Sequence, residues 1–182
     1  MYYIEEIKKD GFRGIFTSYD MIFHWQFPCL VYYLIHKIFG VSWLGWHLVF
    51  SFLHSANALL IKRVLDILLP KKYLIVALFG SFLFLVSPFQ SEVVAWGATL
   101  HYLLIVLFLL LSILSLNSYY TTGKSRHIYL FQVYFILSLW CFEQAFLFPF
   151  VYIFYYFFFL QKELFSSWKN FFIKFTLGNY VI

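Results

Sequence analysis

The side chains able to do chemistry in this 182-residue chain are few and far apart. Glu92 lies in the stretch SPFQSEVVAWG, and Trp96 follows four residues later, on the same face if the stretch is helical. A carboxylate beside an aromatic ring is a place to hold a sugar. The same pair also reads as an interfacial Glu next to a Trp of the aromatic belt. His47 and His54 are seven apart and stack on one helix face with Ser51 between them. With Trp43, Asn57 and Ala58 nearby they form a small, polar stripe of the kind that marks a helix–helix contact. His54 sits deeper in its run and reads as a neutral imidazole hydrogen-bonded between helices; His47 is the better site candidate. His101 opens a later apolar run, and the three imidazoles could bind a metal only by converging. Glu143 stands in CFEQAFLFP between two apolar runs, six residues before Pro149, where it could cap a helix or hold a cation.

The elements that must position these groups follow from composition. The chain is 63% hydrophobic, 26% aromatic and only 12% charged. A soluble domain is about half apolar and about a quarter charged, and one of this size leaves too much area in water to hide such a sequence. Disordered chains are polar and poor in aromatics. The composition therefore predicts an all-α, polytopic membrane protein. Five long apolar runs read as spans: 43–61, 73–88, 100–118, 128–142 and 145–160. Lys62 and Arg63 stop the first. Asp66, Pro70, Lys71 and Lys72 follow in a short charged turn, Asp66 as an ion partner, and TTGKSRH at 121–127 forms a second loop. The segment 27–39 is too short to cross and fits an interfacial helix, Pro28 in its first turn and Gly40 at its end; a tilted crossing is the alternative. FFIKFTLGNYVI resembles the start of a sixth span. The organisation expected is an outward segment 1–42 and a bundle 43–182.

Charge placement gives orientation. One set of turns carries Lys62, Arg63, Lys71, Lys72, Lys124, Arg126 and Lys162; the opposite set, 89–99 and 143–144, carries no Lys or Arg but holds Glu92 and Glu143. The positive-inside rule puts the first set in the cytoplasm. Glu92, His101 and Glu143 then share the outward face, with Lys8, Lys9, Arg13 and Lys37 of the first segment as local exceptions. Cys29 and Cys141 read as buried small hydrophobes. The N-terminus lacks the basic-then-apolar order of a signal peptide. No phosphate-binding, nucleophile-elbow, zincin or dinucleotide motif is present, and no basic face suggests nucleic acid. The run VYIFYYFFFL reads as lipid-facing packing.

The run FPCLVYYLIHKIFGVSWLGWHLVFSFLHSANALL resembles the region after the first outer loop of GT-C superfamily glycosyltransferases, relatives of protein O-mannosyltransferases that take sugars from polyprenyl-phosphate carriers. The matching residues are Phe27-Pro28, Phe39-Gly40, His47 and His54. Pro88, Glu92, Val94 and Trp96 match that family's Pro-x-x-x-Glu-x-Val-x-Trp block. Glu143 and Pro149 match a further block, in which Phe142 stands where Lys is usual.

The resemblance covers roughly residues 10–160. It implies a hexosyltransferase working at the outer face of a bacterial-type cytoplasmic membrane, with a polyprenyl-phosphate sugar as donor and no cofactor indicated, a divalent metal included. Glu92 would position sugar or acceptor. His47 and His101 would steady the leaving phosphate, with Arg13 a weaker candidate. In that family the main catalytic acid is an Asp after a first transmembrane helix. No span precedes residue 27 here, so the resemblance implies a fragment whose catalytic residue lies upstream of Met1. Two other readings stand beside it. One is a non-catalytic membrane scaffold or subunit; the other is a transporter piece, against which the unbroken apolar run 103–111 argues.

Overall fold

In the computed structural model residues 26–88, 94–95 and 99–155 are described. Among them every element is helical: α1 Gln26–Phe39, α2 Trp43–Leu68, α3 Leu74–Val86, α4 Leu100–Thr122, α5 Ser125–Cys141 and α6 Phe148–Tyr155. Short 3-10 turns, Lys71–Tyr73 and Glu143–Leu147, precede α3 and α6. The chain divides into two compact units, Met1–Ala145 and Phe146–Ile182. Helices α1–α5 belong to the first and α6 to the second.

Helix α4 is the centre of the first unit and packs against α1, α2 and α5. It buries apolar residues such as Leu103, Leu104 and Leu109, and also the small polar residues Ser112 and Ser115. Those two hydroxyls donate back to Leu109 O and Leu111 O, so each is satisfied within the helix while its small size lets a neighbour approach. Helix α5 buries Ser138 and Cys141. Cys29 of α1 is also buried, as expected for a small apolar side chain.

Two helices, Trp43–Leu68 and Leu100–Thr122, are long and apolar enough to cross a membrane. At 1.5 Å per residue the 13 residues of α3 reach only about 20 Å, against a hydrocarbon core of about 30 Å. Pro28 lies buried in α1, and Gly40 terminates the helix at φ +59°.

Two boundaries differ from the sequence reading. Lys62, Arg63 and Asp66 do not lie in a turn. They sit on α2, which runs on to Leu68 because the Lys62–Asp66 ion pair (2.7 Å, i to i+4) suits a helix and the break comes only at Pro70. The loop expected over 121–127 narrows to Gly123 and Lys124. The Thr122 hydroxyl donates to Ser118 O, keeping the last turn of α4 helical, and Gly123 closes it at φ +68° with its N–H on Tyr119 O.

Candidate functional site

The corner between α1 and α2 fixes the first part of the site. The N–H of Gly40 donates to His36 O (2.7 Å), and both the Trp46 indole N–H (3.0 Å) and His36 Nδ1–H (3.1 Å) donate to Gly40 O. Gly45 lies so close to the Phe39 ring that a Cβ there would meet it at 2.5 Å. This tight corner holds Tyr32 against Trp46, ring centroids 5.8 Å apart. The Tyr32 hydroxyl then accepts the Leu100 N–H at 3.3 Å, satisfying one of the donors left over at the start of α4. His101 is the next residue. Its place is thus set from α1, through a tyrosine the sequence analysis did not single out; a hydroxyl at mid-helix gives no signal of a partner 68 positions away.

His101 is buried, 4% exposed, and its ring lies 4.0 Å from that of Tyr102 and 4.9 Å from that of Phe142. Phe142 caps α5 in extended conformation, and the neighbouring Glu143 opens the 3-10 turn with its side chain exposed. The structure therefore brings His101 and the Phe142–Glu143 segment together. The phenyl ring at the position where GT-C proteins usually carry Lys packs on this imidazole. The Phe142 ring shields that side of His101, whereas Glu143 is exposed.

His54 and Asn57 hold the helices in register. His54, 5% exposed, donates from Nε2 to Leu85 O at 3.1 Å, a carbonyl in the last turn of α3 that lacks a helical partner. Asn57, fully buried, donates from Nδ2 to Leu103 O at 3.0 Å. The expectation of a polar stripe at a helix–helix contact, with His54 bonded between helices, matches these contacts. His54 Nδ1 and Asn57 Oδ1 are buried with no hydrogen-bond partner among the described residues. The donation from Nε2 makes His54 Nδ1 an acceptor in the neutral ring.

His47 goes elsewhere. It is exposed and meets only the edge of Trp43 among the described ring contacts, centroids 5.8 Å apart. The Asn57–Leu103 bond sets α2 beside α4 so that His101 lies level with the turn of His54. His47 is about 10 Å nearer the start of α2, at 1.5 Å per residue. The structure does not bring His47 to His101. Glu92, Trp96 and Arg13 lie outside the described residues. Among the described residues no group of three or more His, Cys, Asp or Glu side chains converges as a metal site.

The ends of the bundle differ in charge. Tyr32 ties the start of α2, through Trp46, to the start of α4. The far ends of the two helices carry Lys62, Arg63, Lys71 and Lys72 on one side and Lys124 and Arg126 on the other. His101, Phe142 and Glu143 lie at the opposite end. Comparison with protein-family models, with curated proteins and with solved structures finds no match to this chain.

Proposed function

We propose that this chain is a multi-pass membrane protein of about five crossings that takes part in GT-C-type glycosyl transfer at the non-cytoplasmic face. The observation that carries this reading is the separation of the His101–Phe142–Glu143 end from the end bearing six Lys and Arg side chains. The positive-inside rule makes the basic end cytoplasmic and turns the other outward. In the reaction the C1–O bond between sugar and polyprenyl phosphate breaks and a C1–O bond to the acceptor hydroxyl forms. The hydroxyl proton passes to a carboxylate, and the polyprenyl phosphate leaves as the anion. No residue of this chain is assigned as that base. Glu143, Glu92 and Trp96 would hold sugar or acceptor, and His47 or His101 would steady the phosphate.

The test is a transfer assay on membranes containing the full chain, supplied with a labelled polyprenyl-phosphate hexose. The expected result is label in an acceptor fraction, reduced about tenfold or more by Glu143→Gln, the effect of losing one hydrogen bond to a charged group. Absence of transfer from membranes containing normal levels of the chain would remove the proposal. A non-catalytic membrane subunit is the second reading, and the covering of His101 by two rings favours it. On that reading no label is transferred, and His101→Phe leaves the chain folded and its membrane level unchanged.

A further inference from the structure

One face of α2 lies away from the stripe that α2 buries. Ala56, Leu59, Leu60, Lys62, Arg63 and Asp66 line a shallow, open groove of about 450 Å³. Helical spacing puts Ala56, Leu59, Leu60 and Arg63 on one stripe, opposite the stripe of Phe50, His54 and Asn57 that α2 buries against the protein. The groove changes character along the helix axis: apolar at Ala56, Leu59 and Leu60, and charged one turn later.

The charged end is not uniformly basic. Lys62 Nζ sits 2.7 Å from Asp66 Oδ2, and these two charges cancel. Arg63 is exposed, and no carboxylate pairs with it among the described residues. Three charged groups therefore present one uncommitted cation, a planar guanidinium whose fork matches two phosphate oxygens. A head group with two negative charges would also meet the Asp66 carboxylate. The 26 residues of α2 span about 39 Å, longer than a hydrocarbon core of about 30 Å, so its last turns reach head-group depth.

We propose that this groove holds one glycerophospholipid with a single net negative charge. Its phosphodiester lies on Arg63 and an acyl chain runs along Leu60, Leu59 and Ala56. The inference rests on the membrane reading above but not on glycosyl transfer.

The full chain is placed in nanodiscs of phosphatidylcholine with rising fractions of phosphatidylglycerol, and retained lipids are counted by native mass spectrometry. One phosphatidylglycerol per chain is expected in preference to phosphatidylcholine. Arg63→Gln should lower its retention about fivefold, the effect of one cation near a lipid surface. Asp66→Asn, which releases Lys62, should raise it, and Lys124→Gln at the other turn should leave it unchanged. The proposal is overturned if Arg63→Gln has no effect. It is overturned equally if Lys124→Gln matches Arg63→Gln, meaning diffuse attraction, or if both lipids are retained alike. A chain that does not enter discs and washes off membranes at high pH would sink the membrane reading, and this inference with it. A chain that enters discs without the lipid preference sinks this inference alone.

Discussion

Helices α3 and α4 are both strongly apolar, yet they have opposite surroundings. Along α4 buried residues run from Leu100 to Leu116. Helix α3 buries only Ala77 and Ser81 while nine large apolar side chains, from Leu74 to Val86, stay exposed. Water would penalise each of those nine by about 1.5–3 kcal/mol relative to burial. The contrast shows what selects the inward face when hydrophobicity cannot. On α3 the two buried residues are the small ones, and a Cβ at the adjacent Gly80 would already meet Leu65 of α2 at 3.2 Å. On α4, Ser112 and Ser115 mark the same kind of close approach. Small residues allow helices to meet where lipid and protein interior are equally apolar.

The contrast can be broken most sharply by truncation. Leu104→Ala, in the buried stripe of α4, should cost about 2–5 kcal/mol, whereas Phe79→Ala on the outer face of α3 should change stability by less than about 0.5 kcal/mol. Unfolding of the detergent-solubilised chain measures both, and equal losses would mean that α3 is covered by protein. Gly45→Ala comes next at about 1–3 kcal/mol, because the added methyl would meet the Phe39 ring at the α1–α2 corner. Asn57→Ala removes the bond to Leu103 O and should cost about 0.6–1.7 kcal/mol, the span measured for interhelical bonds in membranes. A double cycle of Asn57→Ala with Leu104→Ala would show whether seam and core act together. The smallest effect is Lys62→Gln, at about 0.3–0.5 kcal/mol for a partly exposed i,i+4 pair, and less in high salt.

Most helices could be read from the sequence because long apolar runs end at charge, Pro or Gly. Pro28, Gly40 and Pro70 each stand at or near a helix end. Lys62 and Arg63 look like a stop for α2 but do not end it, because a carboxylate four positions after the lysine, Asp66, makes this charged stretch a good helix. Number of crossings is a different matter: apolar composition extends over 73–88, but only 13 residues of that run form α3. At the candidate site, the spacing of His54 and Asn57 disclosed a helix contact without disclosing Leu85 O and Leu103 O as its partners. Backbone carbonyls carry no sequence signature. Phe142, noticed only as the residue in place of a lysine, covers His101 by a contact between α4 and the end of α5. His47 and His54 share a helix face, but one is exposed and the other buried: α3 and α4 bond to α2 at His54 and Asn57, about two turns beyond His47.

The account depends on a bilayer that keeps the basic end of this bundle on one side and Glu143 on the other. Single cysteines at Glu143 and at Lys124, both exposed positions, test this with a membrane-impermeant maleimide applied to intact cells. The native thiols, Cys29 and Cys141, are buried and provide the unsubstituted control. Glu143→Cys should be labelled without permeabilisation and Lys124→Cys only after it. Labelling of Lys124→Cys in intact cells, with Glu143→Cys protected, would contradict the account.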